Sequence, residues 1–126
     1  MSTGRIDTNI SDYFNGVTVT ASMLVQGPLI PLHGAAGLHI TAQTTNGAAG
    51  SLILYTSSQD PAGGPFPSQY PFQAGAVAVT VAANSANTLG LGPNNTQLYA
   101  RYAWLAFNPS ASGTLYVAVN IRRWNA

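Results

Sequence analysis

Residues 114–123 read Thr-Leu-Tyr-Val-Ala-Val-Asn-Ile-Arg-Arg. Leu115, Val117, Val119 and Ile121 alternate with Tyr116, Asn120 and Arg122, a period of two that gives a β-strand one aliphatic face and one polar face. The same period recurs upstream. Val17, Val19 and Ala21 alternate with Thr18, Thr20 and Ser22, and Leu38, Ile40 and Ala42 with His39, Thr41 and Gln43. Leu52 and Leu54 alternate with Ile53 and Tyr55, and Val77, Val79 and Val81 with Ala78 and Thr80. From Leu98 to Phe107 both faces carry large apolar side chains: Tyr99, Arg101, Ala103, Leu105 and Phe107 on one, Ala100, Tyr102 and Trp104 on the other. Turn formers separate these runs, at Gly27-Pro28, Asn46-Gly47, Gly63-Gly64-Pro65, Gly92-Pro93-Asn94-Asn95 and Asn108 to Gly113. No segment has the period of an amphipathic helix. The pattern predicts an all-β fold, an antiparallel β-sandwich or jelly roll of about seven to eight strands, with a closed barrel as the alternative.

The length, 126 residues, suits one domain. Its charge is unusual: four Arg, three Asp, no Lys and no Glu, 6% of the chain where roughly 25% is ordinary. Charge keeps an isolated domain soluble and discourages sticking, so a chain without it is expected to meet other protein over much of its surface. A net charge of +1 with scattered Arg offers no basic stripe for a phosphate backbone, so nucleic acid is not expected as a partner. Zero Cys excludes disulfides and thiol chemistry. The N-terminus shows no signal-length apolar stretch and the chain no run long enough for a membrane helix, so neither targeting by a leader nor a membrane partner is expected.

Two segments break the alternation. Residues 1–16 carry Asp7 and Asp12 and precede a domain expected over 17–126. They read either as a frayed tail or as an arm anchored on a neighbouring subunit by Ile6, Ile10, Tyr13 and Phe14. The second is the loop from Asp60 to Phe72, with four prolines and the aromatics Phe66, Tyr70 and Phe72. Prolines lower the entropy lost on ordering, so this loop can hold a shape, either as a lid on the sandwich or as an interaction surface.

The catalytic inventory is poor. Two His and three Asp are the only acid and base candidates besides tyrosine. His33 and His39 lie six apart with no acid near in sequence, short of a metal-ligand set. No nucleophile elbow, phosphate-binding loop or zinc-protease motif occurs. Neither enzyme activity nor a cofactor is expected. Arg101, flanked by Tyr99, Tyr102 and Trp104, can stack on an aromatic face while keeping one edge free for a carboxylate. Arg122-Arg123-Trp124 reads as a solvated strand end or as an interface anchor.

The run Leu98-Tyr-Ala-Arg-Tyr-Ala-Trp-Leu-Ala-Phe107, then Asn108-Pro-Ser-Ala-Ser-Gly113, then Thr114-Leu-Tyr-Val-Ala-Val119 resembles the closing hairpin of β-sandwich modules in tailed-bacteriophage structural proteins. The resemblance covers about 25 residues. It implies a capsid decoration (cement) protein, or another small head or tail component, often a trimer on the virion head with an N-terminal arm engaging the shell. Its partners would then be further copies of itself and a shell subunit such as the major capsid protein. The competing reading is a carbohydrate- or receptor-binding sandwich in which Phe66, Tyr70 and Phe72 stack on sugar rings.

Overall fold

The structure, a computed structural model, describes residues 4–32, 34–57, 73–92 and 95–125, the side chains of 4–7, 73–76, 97, 124 and 125 excepted. Nine strands occur among them: β1 (Gly4–Val19), β2 (Val25–Gln26), β3 (Ile30–Pro31), β4 (Ala35–Thr45), β5 (Ala49–Ser57), β6 (Gln73–Val81), β7 (Ala86–Leu91), β8 (Tyr102–Ala111) and β9 (Gly113–Asn125). A 3-10 turn, Thr96–Tyr99, precedes β8.

The strands form two antiparallel sheets. The first has the order β1-β9-β4-β7 and the second β2-β8-β5-β6, with β3 following β2 along the same side of β8. β2 and β3 act as one strand interrupted at Gly27-Pro28, where proline has no N–H to give the ladder. Counted so, eight strands in two four-stranded layers cross from sheet to sheet at every connection except β5 to β6. This is a jelly-roll β-sandwich.

The predicted alternation is the burial pattern of β4, β5 and β9: Leu38, Ile40, Ala42, Leu52, Leu54, Leu115, Val117, Val119 and Ile121 are buried between the sheets. Val17, Val77 and Val79 pack against that core from the edge strands. In β8 every residue from Ala103 to Phe107 is buried, as the two-faced apolar run implied.

Four features depart from the sequence reading. Residues 4–16 are not a tail: they belong to β1, which pairs with β9 of its own chain from Gly4↔Asn125 to Val19↔Gly113. Register shifts between Ile10 and Phe14 and between Asn15 and Val17 disrupt the period of two and hide the strand in the sequence. The strand expected from Leu98 starts at Tyr102 instead. The Asn108–Gly113 segment is not a hairpin turn. β8 runs on to Ala111, with Pro109 opposite the register shift at Ala49/Gly50, and the chain changes sheet at Ser112. A Cβ on Gly113 would fall against the Ala48 nitrogen and the Thr45 carbonyl, so this crossing needs glycine. Finally, β7 and the two halves β2 and β3 were not anticipated, being short and poor in aliphatic residues.

Candidate functional site

A sandwich of two open sheets has two flanks, each lined by a pair of edge strands, and these are where it can meet other protein. One flank is formed by β1 with β2 and β3. Arg5, Asp7 and Asp12 lie on β1, and Arg122 and Arg123 on its neighbour β9, so five of the seven charged residues sit here.

Side chains also bridge the two sheets on this flank. Tyr13, buried at a β1 bulge, reaches the gap between β2 and β3. Its hydroxyl donates to the Pro28 carbonyl at 2.6 Å and accepts from the Leu105 N–H at 2.9 Å, replacing ladder bonds lost at the Gly27-Pro28 break. A Cβ on Gly27 would fall inside the Tyr13 ring. The Tyr13 and Phe14 rings meet edge to face, with centroids 5.0 Å apart. Arg123 donates to Thr8 Oγ1 at 3.2 Å and to the Pro31 carbonyl at 2.9 Å, tying β9 to β1 and β3.

The opposite flank, β6 with β7, is built differently. From Pro61 to Ala100 the chain has no Asp, Glu, Lys or Arg, and both edge strands fall within that stretch. β7 pairs with β4 over six residues without a register shift. Bridging here is by neutral groups. Buried Thr44 Oγ1 donates to the Ala82 carbonyl at 2.7 Å, and Asn87 Nδ2 donates to the Thr80 carbonyl at 2.9 Å.

The outer faces of the sheets differ as well. On the second sheet Tyr55 and Trp104 are cross-strand partners whose rings stack with centroids 5.7 Å apart, beside the Ile53 and Ala106 pair. On the first sheet Asn9, Asn120, His39 and Gly90 form one row across β1, β9, β4 and β7. Because Gly37 and Gly90 contribute no side chains, a groove of about 240 Å³ opens beside His39, Asn120 and Arg122.

The sequence-predicted residues are dispersed. Tyr13 and Phe14, expected at an interface, pack in the core between the sheets, and Trp104, on the outer face of the second sheet, is only 1% exposed. Ile10 packs partly buried against the core. Ile6 and Trp124 lie on the paired strands β1 and β9, their side chains outside the described residues. Phe66, Tyr70 and Phe72, with the whole 60–72 loop, also lie outside the described residues, as does His33. Tyr99 projects from the 3-10 turn, 73% exposed, and Arg101 lies over the Tyr102 ring at 5.8 Å from its centroid. Arg122 is exposed at the groove. Arg123, read with its neighbours as a solvated strand end or an interface anchor, bridges the sheets instead. Met23 and Leu24, both exposed in the loop from β1 to β2, were not among the candidates. Among the described residues no cluster of three or more His, Asp or Glu could hold a metal ion, and no helix is long and apolar enough to cross a membrane.

The chain matches no protein-family model and no curated protein sequence. Among solved structures it is similar to a subunit from Bacillus endospore appendages, described as disulfide-linked pili. Identity is 11% and the TM-score 0.51, over 97% of this chain and 88% of that one. It is also similar to part of tripeptidyl peptidase 2, at 14% identity and a TM-score of 0.53, over 96% of this chain but 10% of that much longer one. At such identities the likeness is one of fold, the β-sandwich. A rhinovirus-B5 chain aligns over 96% of this chain at 12% identity and a TM-score of 0.48.

Proposed function

We propose that this chain is a non-catalytic structural subunit that acts by assembling with other protein. In its specific form the proposal is a decoration (cement) protein of a tailed-bacteriophage head, a homo-oligomer, with the trimer favoured, clamped on the major capsid protein at the virion surface. The observation that carries the assembly reading is the distribution of charge along the strands: β1 and its neighbour β9 carry five of the seven charged residues, and the edge strands β6 and β7 carry none. Natural sheets guard free edges with Lys and other charges, and an uncharged pair of edge strands is the surface expected of a subunit that is covered in use. The bacteriophage and head assignments rest on the sequence resemblance. Several modest contacts on adjacent shell subunits would act together, so the assembled module holds better than any single contact.

The test is the solution mass by light scattering over a range of concentration and salt, followed by co-sedimentation with empty phage shells. A salt-insensitive oligomer that co-sediments agrees with the proposal, and a monomer that ignores every shell refutes it. The groove at His39, Asn120 and Arg122 favours a second reading, a receptor- or carbohydrate-binding module, because convergent polar groups around a cleft are the usual form of a binding site. That reading requires His39→Ala or Asn120→Ala to abolish binding on a glycan array while leaving the solution mass unchanged.

A further inference from the structure

The free edge of β7 has an unusual chemistry. Thr44 N–H donates to the Ser85 carbonyl at 2.9 Å, which fixes the phase of the β4–β7 ladder. Antiparallel partners alternate between bonded and non-bonded pairs, so Asn87, Leu89 and Leu91 turn their backbone groups toward β4, and Ala86, Thr88 and Gly90 turn theirs outward. Those three residues present a straight, bulge-free, uncharged row of donors and acceptors. Its middle member is occupied: Thr88 N–H donates to Asn87 Oδ1 at 2.9 Å, while the same amide's Nδ2 donates to the Thr80 carbonyl of β6 at 2.9 Å. One neutral side chain thus caps the centre of the β7 edge and one carbonyl of β6.

We infer that the β7 edge is a strand-addition surface for a second copy of this chain, held shut by Asn87. This rests on the assembly reading above and adds to it a two-fold contact, which closes as a dimer and is separate from any three-fold interface of a trimer. The partner strand is β7 of the other copy, antiparallel about a two-fold axis, with Thr88 facing Thr88 and Ala86 facing Gly90. β1 is excluded as the partner strand, because its two register shifts and its Arg5, Asp7 and Asp12 prevent a straight uncharged ladder. For the edges to pair, the Asn87 amide must release Thr88, whose N–H then donates across the axis instead.

The experiment compares wild type, Asn87→Ala and the double variant Asn87→Ala/Thr88→Lys by sedimentation equilibrium. Both positions are exposed, and far-UV circular dichroism with a urea midpoint checks the fold of each. Asn87→Ala is expected to dimerise at least about tenfold more tightly than wild type, and Thr88→Lys to reverse this by setting two ammonium groups face to face. As a second measurement, the Thr88 amide should exchange with deuterium faster in monomeric Asn87→Ala than in monomeric wild type. An unchanged dimer constant in Asn87→Ala, or a double variant that dimerises as tightly as Asn87→Ala, overturns the inference. A wild-type trimer indifferent to both substitutions overturns it too, yet leaves the assembly reading standing. Monomers throughout overturn it, and overturn the assembly reading as well when they also fail to co-sediment with any shell.

Discussion

The two flanks of this sandwich close the same gap between sheets with opposite chemistry. On the β1 flank a buried tyrosine and an arginine cross from sheet to sheet, the edge strand is bulged, and most of the charge of the molecule lies along it. On the β7 flank a threonine and an asparagine do the bridging, the β7 edge is straight, and neither edge strand carries a charged residue. Bulges and charges discourage strand addition, so the first flank is built to stay solitary and the second is left able to pair. Poverty of charge in a sequence is thus not spread evenly over its strands: β1 and β9 carry most of what charge there is, and the edge strands β6 and β7 carry none.

Tyr13 should be the costliest single loss. Tyr13→Ala empties a core site and strips partners from the Leu105 N–H and the Pro28 carbonyl, so a loss of about 3–5 kcal/mol is expected from the urea midpoint. Tyr13→Phe keeps the ring and isolates the hydroxyl, at about 1–3 kcal/mol. A Tyr13→Ala protein as stable as wild type would mean that the β1 flank is not held in this way. Gly27→Ala bears on the same gap, because the three atoms nearest its added methyl all belong to the Tyr13 side chain. Alone it should cost about 1–3 kcal/mol by overpacking, and in a Tyr13→Ala background most of that cost should vanish. Additive effects in that double-mutant cycle would show that the two residues do not share the gap. Deletion of residues 1–12 would remove the Gly4–Ile10 half of the β1–β9 ladder and destabilise that flank.

The same two flanks explain what could be read in advance. The inner strands β4, β5 and β9 lie between neighbours in regular register over most of their length, so burial follows the period of two and Leu38, Ile40, Leu52, Leu54, Val117 and Val119 announce themselves. The edge strands did not. In β1 the extra residues between Ile10 and Phe14 put Tyr13 and Phe14 side by side in the core, which periodicity cannot foresee. Aromatic residues at a polar terminus therefore looked like anchors for a neighbour when they are anchors for the domain itself. In β7 only Leu89 and Leu91 are apolar and large, too little pattern to mark a strand. The change of sheet at Ser112 was hidden because Pro109 and two serines look like a turn, whereas the proline is carried inside β8 opposite an irregular partner. Charge depletion was legible from composition alone, but its confinement to one flank needed the pairing of β1 with β9.

Weaker side chains test whether the bridges are equivalent. Thr44→Val removes the hydroxyl that binds the Ala82 carbonyl in a buried site, and about 1–2 kcal/mol should be lost in urea denaturation. Arg123→Met keeps the aliphatic stem and removes the bonds to Thr8 and Pro31. In that half-exposed position about 0.5–1 kcal/mol is expected. If Arg123→Met cost more than Tyr13→Phe, the ranking of buried over exposed bridges on the charged flank would fail.

Asn87→Ala should have the smallest effect on the fold, and that smallness separates its role from the others. Its two bonds are made at an exposed position where water can replace them, so the net loss is about 0.5 kcal/mol or less. Tyr13, Thr44 and Arg123 hold sheets together, and their removal should lower the urea midpoint without raising the tendency to associate. Asn87 shields a backbone edge, and its removal should leave the midpoint nearly fixed while promoting association, because the Thr88 N–H, left to water in the monomer, is then open to another strand. Stability and association measured on the same samples therefore distinguish a bridge from a guard. A large drop in midpoint for Asn87→Ala, with no change in association, would make Asn87 one more bridge and erase the contrast between the flanks.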